Sequence, residues 1–267
     1  MIAKRNILAV PIRKVSDAVS DEQDLVAVEE PLQIRLNGQN LAITMRTPGN
    51  DDELAAGFLF TEGIVSSRTE IAGIECGENI ASVFLTDGAP VELEGVERRF
   101  YLTSSCGICG KASVDAVAAA GCESPPKGRP QVSAKLIERL PDLLRETQPV
   151  FDRTGGLHAA GLFDATGRLD AVREDVGRHN AVDKLVGRMF LDGRVPLHEG
   201  ILQVSGRASF ELVQKALMGG IPMLVAVGAP SSLAVELALR FGMTLVGFAR
   251  EGRFNIYSGR ERVSIPE

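Results

Sequence analysis

The chain has 267 residues, 45% apolar and 24% charged, with a net charge of −6. That is enough for a large core arranged as two domains or one elaborated domain, with the composition of an ordinary soluble globular protein. Negative net charge, the absence of Trp and a count of two Tyr argue against a nucleic-acid surface. No run approaches the roughly 18 apolar residues that cross a bilayer, so neither nucleic acid nor a membrane is expected as a partner. The N-terminal stretch shows no secretory signal, and four cysteines in a chain this long do not make a disulfide scaffold. A reducing cytoplasm is the expected compartment, where a Cys-x-x-Cys pair more often binds metal or reacts than braces a fold.

In chain order, residues 1–24 read as a polar, irregular arm or an edge strand. Pro31–Leu36 and Gln39–Arg46 read as a hairpin about Asn37-Gly38, the pair that best tolerates positive φ. Thr47-Pro-Gly-Asn-Asp-Asp-Glu is a helix start signal. The predicted helix, Leu54–Glu62, buries Leu54, Phe58 and Leu59 and stops at Gly63. Strand-like runs follow at Ile71–Cys76, Ala81–Thr86 and Arg98–Leu102, then an Ala-rich helix at Ser113–Ala120. Residues 121–130 hold three prolines and two glycines, the composition of a boundary. The prediction is therefore an N-terminal, mostly antiparallel α+β domain over 1–125 and a second domain over 126–267.

The second part changes pattern. Ser133–Glu146 reads as a helix with a Ser N-cap, interrupted or kinked near Pro141. A hairpin starting at His158 and ending at Asp175 comes next, then a helix over Gly177–Phe190. Strands at Gly200–Ser205, Pro222–Val227 and Thr244–Ala249 alternate with helices at Phe210–Met218 and Leu233–Phe241. Such alternation predicts an α/β fold, a parallel sheet with helices on its faces.

Ligands of open α/β sheets bind beyond the carboxyl ends of the strands. Here those ends run into Ser205-Gly-Arg207-Ala-Ser209, Gly228-Ala-Pro-Ser231-Ser232 and Ala249-Arg250-Glu251-Gly252-Arg253. The first two loops open helices, whose free N–H groups and positive dipole ends suit an anion. Arg207, Arg250 and Arg253 add forked donors for phosphate oxygens. Any one loop reads as an ordinary N-cap with a surface arginine; the three together point to a phosphate-bearing ligand. No dinucleotide fingerprint is present. Two further clusters surround His158 and His179: Asp152-Arg-Thr-Gly-Gly-Leu-His158 and Arg173–Lys184. The second reads either as a polar cleft or as a solvated salt-bridged face.

The stretch Thr103–Ser113 carries Cys106 and Cys109, flanked by Gly107 and Gly110, ahead of a predicted helix. Glycine admits close approach of another molecule, while a helix N-terminus and Lys111 favour the thiolate. Zinc, a thioredoxin-like dithiol and a persulfide carrier all use such a pair. Zinc wants about four ligands and no second close pair exists; a thioredoxin-like site wants a βαβ context. A persulfide carrier needs only an accessible thiol of low pKa. Cys76 and Cys122 read as packing residues.

At these residues the sequence resembles the FdhD family of sulfurtransferases that serve formate dehydrogenases. The resembling motifs are Arg46-Thr-Pro-Gly-Asn-Asp-Asp-Glu-Leu-Ala-Ala-Gly-Phe-Leu-Phe-Thr-Glu-Gly, Ser105-Cys-Gly-Ile-Cys-Gly, Thr154-Gly-Gly-Leu-His-Ala-Ala, Arg173-Glu-Asp-Val-Gly-Arg-His-Asn-Ala-Val-Asp-Lys, Ser205-Gly-Arg and Ala229-Pro-Ser-Ser-Leu-Ala-Val. The resemblance implies a cytoplasmic homodimer that takes sulfur from a cysteine desulfurase as a persulfide. It implies delivery to the molybdenum or tungsten of a bis-(molybdopterin guanine dinucleotide) cofactor bound for formate dehydrogenase, with a guanine nucleotide as a stand-in for that ligand. Carried onto this chain, Cys106 is the persulfide residue and Cys109 the second thiol. The segment Phe248, Ala249, Arg250, Glu251, Gly252 and Arg253 is the implied cofactor-binding loop; Ser205, Arg207, Ser231 and His158 are expected beside it. The resemblance also implies a cytidine-deaminase-like, three-layer α/β/α fold with a mixed sheet for the C-terminal half. The deaminase zinc signature is absent, and no metal site is expected. The alternative is a chaperone that binds the cofactor without sulfur chemistry.

Overall fold

The computed structural model describes residues 6–89 and 122–265. The predicted strand Arg98–Leu102, the helix Ser113–Ala120 and both Cys106 and Cys109 lie outside them. The N-terminal arm is not irregular: β1 (Ile7–Val15) and β2 (Val19–Ala27) pair antiparallel along their whole length. No residue of this ribbon is buried, and neither β1, apolar over Ile7–Ile12, nor the largely charged β2 carries the period-2 alternation that marks a half-buried strand. A four-stranded sheet follows, in the order β4-β3-β6-β5. It is built from β3 (Glu30–Leu36), β4 (Gln39–Arg46), β5 (Ile71–Cys76) and β6 (Ile80–Leu85). Asn37 and Gly38 take φ of 48° and 83°, the two-residue turn expected of this pair. One pairing departs from the antiparallel expectation: β3 and β6 run parallel, with α1 (Asp51–Thr61) in the connection between them.

The second sheet has six strands in the order β13-β12-β11-β10-β8-β9. Its strands are β8 (His158–Phe163), β9 (Leu169–Asp175), β10 (Ile201–Val204), β11 (Met223–Ala226), β12 (Thr244–Arg250) and β13 (Arg253–Ser258). The three central strands β10, β11 and β12 are parallel, as the alternation predicts, and antiparallel strands flank them. The result is a mixed α/β architecture. Side chains alternate across the sheet. On β11, Leu224 and Ala226 join a core with α1, α4 (Arg178–Leu191), α5 (Phe210–Met218) and α6 (Ser232–Phe241). Met223 and Val225 face the other way, onto Leu136, Ile137, Leu140 and Leu144 of α2 (Ala134–Arg145). Ser133 caps α2 by accepting the Leu136 N–H, and the helix runs uninterrupted through Pro141. A short α3 (Pro149–Thr154), with proline at its first position, leads into β8.

The proline-rich stretch predicted as a boundary is bolted to the end of the chain. Fully buried Arg262 donates to the carbonyls of Pro126, Arg129 and Gly242, beside the parallel pair β7 (Val132–Ser133) and β14 (Val263–Ser264).

The residues of the Arg46–Gly63 motif bury nearly every side of α1, which therefore has almost no amphipathic pattern. It crosses α4 where glycines face each other's backbone. A Cβ on Gly57 would lie 1.9 Å from the Asp183 carbonyl oxygen, and one on Gly187 would lie 1.9 Å from that of Glu53. Gly57→Ala should therefore cost about 3 kcal/mol or more, through overpacking that rigid backbone cannot relieve. Gly73→Ala is the control, because nothing lies within 4 Å of its added methyl. Thermal denaturation of the two variants checks this: a large drop in Tm is expected for the first and little change for the second.

Candidate functional site

The loops that follow β10 and β11 are hydrogen-bonded to each other and to the end of β12 at the sheet's carboxyl edge. Gly228 N–H donates to the Gly206 carbonyl (2.9 Å), Ser231 N–H to that of Ala208 (3.0 Å) and Phe248 N–H to that of Gly228 (3.1 Å). Gly228 is required here, since its Cβ would sit 2.9 Å from the Arg207 side chain and 3.1 Å from its Cα. Phe248 takes φ of 54° at a break in the β12–β13 register. Left-handed backbone at an aromatic residue costs roughly 1–2 kcal/mol, which the surrounding pairing must hold. Glu251 and Gly252, at φ of 54° and 68°, then make a tight two-residue turn that pairs Arg250 with Arg253.

A cavity of about 590 Å³ opens at this edge. One wall comes from the strand ends: His158, Ser205, Arg250 and Glu251. A second wall comes from α2, α3 and the chain beside them: Arg145, Gln148 and Phe151, then Gly155 and Gly156. Of the predicted binding residues, the structure brings His158, Ser205, Arg250 and Glu251 together and leaves six out of the lining. Arg207 is exposed beside Gly228. Ser231 spends its hydroxyl oxygen on the Ala234 N–H, capping α6. Ala249 is buried toward α2, whereas Gly252 and Arg253 stand exposed at the hairpin tip. There Arg253 meets Glu251 at 3.4 Å. Half-buried Phe248 shapes the turn without lining the cavity.

The polar atoms of the strand wall are set by backbone. Ser205 Oγ accepts the Ala159 N–H at 2.9 Å, and Ser205 N–H donates to the Ala159 carbonyl at 3.0 Å, so the hydroxyl proton is left to donate elsewhere. Burial, with Arg178 adding to it, pushes the His158 imidazole below its ordinary pKa, which keeps it neutral near pH 7. His179, at the start of α4, is pushed down to about 3 by burial and by Lys215 and Arg178, and it contacts Ser209 Oγ at 3.3 Å. On the far wall, the Arg145 guanidinium lies 4.6 Å over the Phe151 ring and pairs with Asp152. Glu174 accepts the N–H groups of Val150 and Phe151 and so anchors the start of α3.

The charged segment 173–184 is neither a cleft nor a solvated face. Arg173 pairs with Glu53 on α1. Fully buried Asp175 receives Lys184 Nζ at 2.7 Å, while Lys184 also donates to the Thr47 carbonyl. Lys215 on α5 reaches Asp183 at 2.9 Å and Glu62 at 3.1 Å. Burial alone would lower its ammonium pKa; the two carboxylates outweigh that and raise it, so the lysine stays charged. These pairs lock α1 to β9 and α4 and set Arg178 beside Gly206 and His179 beside Ser209, on the loop that follows β10. The far wall was not legible as a site. A helix of six residues shows no periodicity, and Gln148 signals nothing beyond preceding a proline. Cys76, read as a packing residue, is exposed at the end of β5, while Cys122 is half-buried against the main core.

A model of the FdhD/NarQ family matches residues 27–264. A sulfur carrier protein FdhD from Streptomyces coelicolor is 52% identical over 95% of this chain and 94% of its own length. One from Sulfolobus acidocaldarius is 47% identical over 97% and 99%. A crystal structure from Desulfotalea psychrophila, described as a formate dehydrogenase accessory protein, superposes with a TM-score of 0.75. That chain is 27% identical and covers 97% of this one, with 98% of its own length matched.

The depressed histidine makes a pH prediction. His179 binds no proton in the folded state until about pH 3, whereas the unfolded chain binds one near 6.5. Stability from this group is thus present above 6.5 and is lost as pH falls from there toward 3. His179→Gln removes the titration and keeps a polar group beside Ser209. Denaturant unfolding at pH 7.5 and 4.5 should show the wild type losing on the order of 1 kcal/mol more than the variant.

Proposed function

The chain belongs to the FdhD/NarQ family, and from that membership and the strand-end cavity we propose that it is a sulfur carrier serving formate dehydrogenase. The observation that carries the binding half of this reading is the cavity itself. A guanidinium (Arg250), a hydroxyl with a proton to give (Ser205) and a neutral imidazole (His158) meet at the carboxyl edge of a parallel sheet. This is where α/β sheets take nucleotide ligands. Arg250 would hold phosphate oxygens of a guanine dinucleotide; charge-assisted bonds of that kind contribute roughly 1.5–3 kcal/mol each. The cargo is a bis-(molybdopterin guanine dinucleotide) of molybdenum or tungsten. The protein acts as a homodimer in the cytoplasm. Its C-terminal half, a hairpin followed by alternating helices and parallel strands, is of cytidine-deaminase type.

The sulfur half rests on Cys106 and Cys109. The Cys106 thiolate attacks the outer sulfur of a cysteine desulfurase persulfide; the new S–S bond forms on Cys106 and the desulfurase thiolate leaves. When the Cys109 thiolate then attacks the Cys106 sulfur, hydrosulfide departs toward the metal of the cargo. The cysteine pair is left as a disulfide, having supplied the two electrons that reduce sulfane sulfur to sulfide. An external thiol reductant, of the thioredoxin or glutathione class, returns the pair to dithiol.

Incubation with a cysteine desulfurase and cysteine, followed by mass spectrometry of the intact protein and its peptides, tests this. One added sulfur on the peptide holding Cys106 is expected. Cys106→Ala should lose all of it and all formate dehydrogenase maturation, whereas Cys76→Ser and Cys122→Ser should retain both. A protein that binds the cofactor yet never gains sulfur is the chaperone of the alternative reading.

A further inference from the structure

One buried group on the cavity wall has no job in the free protein. Gln148 is 3% exposed, and its Nε2 meets no hydrogen-bond acceptor among the described residues. Buried amides are nearly always paired, because leaving a donor unsatisfied costs about 1–3 kcal/mol. Gln148 stands at the N-cap of α3 and makes no side-chain cap there. The two N–H groups it could have served, those of Val150 and Phe151, are taken by Glu174. The residue is thus not explained by the helix it precedes. What it does do is line the cavity that Ser205 and Arg250 also line.

Its neighbours on that wall suit a flat heterocycle. Phe151 offers a ring already stacked by Arg145 at 4.6 Å, and the turn Gly155-Gly156 presents no side chain. Aromatic stacking on such a platform is worth roughly 1–3 kcal/mol per base. On the strand wall Ser205 and Arg250 offer the phosphate-type donors, whereas the guanidinium of the far wall, Arg145, is committed to Asp152 and to the face of the Phe151 ring. The two walls therefore differ in chemistry, and a ligand with a ring at one end and phosphates at the other fits in one direction only.

Resting on the ligand reading above, we propose that Gln148 is a specificity-determining residue. Its Nε2 donates to the ring carbonyl of the 2-amino-4-oxo heterocycle that guanine and pterin share, stacked against Phe151, with the phosphates directed to Arg250. A ring carbonyl held in the cavity supplies the acceptor that this donor lacks among the described residues. A site built to hydrogen-bond its substrate discriminates strongly against analogues that cannot reply.

The test uses the full-length protein and two variants, Gln148→Met and Arg250→Gln. Calorimetry with GDP, guanosine, pterin and inorganic pyrophosphate is read alongside thermal denaturation. Gln148→Met should weaken GDP roughly tenfold, the value of one neutral hydrogen bond. It should weaken guanosine or pterin by the same factor, whichever supplies the ring, and leave pyrophosphate unchanged. Arg250→Gln should do the reverse, weakening GDP and pyrophosphate but not the bare ring. Gln148→Met should also hold or raise Tm, because it removes an unsatisfied donor without opening a cavity. A variant that loses stability but binds GDP as tightly as the wild type would make Gln148 structural and overturn the assignment. Equal loss of pyrophosphate would overturn the orientation. A wild-type protein that binds none of the four probes would overturn the ligand reading, and the assignment with it.

Discussion

Two glycines hold this architecture together. Gly57 and Gly187 let α1 and α4 touch backbone to backbone, at a separation that no Cβ on either residue permits. Much of the buried charge is arranged around that crossing. Glu53 can reach Arg173, Asp183 can reach Lys215, and the loop before α1 can wrap Asp175 and Lys184 because the helices are this close. Buried ion pairs add little net stability over apolar packing, but breaking one is costly, so they fix a single arrangement. The arrangement they fix places the start of α4, with Arg178 and His179, against the loop that follows β10.

The cavity at the sheet's edge is divided by chemistry. Its strand wall owes its shape to hydrogen-bonded loops and to backbone conformations with positive φ, at Phe248, Glu251 and Gly252. Strain of this kind persists only where surrounding structure over-determines it, and it gathers at functional sites. His158 there is held neutral by burial and by the nearby Arg178. The positive charge facing a ligand therefore comes from arginine, which does not titrate, and ligand affinity should be insensitive to pH near neutrality.

Much of the frame was legible in the sequence. Asn37-Gly38 announced its hairpin, Ser133 its cap, and the alternation after residue 200 its three parallel strands. Half of the site was legible too, because strand-end loops rich in Gly, Ser and Arg carry their chemistry in local order. What was hidden depends on distant partners. The ribbon β1–β2 buries too little to show a period-2 pattern. Segment 173–184 reads as a polar surface until Glu53, Thr47 and Lys215 arrive from elsewhere in the chain. Gln148 is an ordinary polar residue until folding buries it and leaves its amide nitrogen without an acceptor among the described residues. The chemistry of Cys106 and Cys109 rests on sequence and family alone, since both lie outside the described residues.

The central claim is that the carboxyl edge of the six-stranded sheet receives the nucleotide end of the cargo. A crystal structure of the protein soaked with GDP tests it most directly. Density between Arg250 and Gln148, with phosphates at the strand wall, is the expected result. Density at the opposite edge of the sheet, in the smaller cavity beside Arg168 and Arg194, would contradict it.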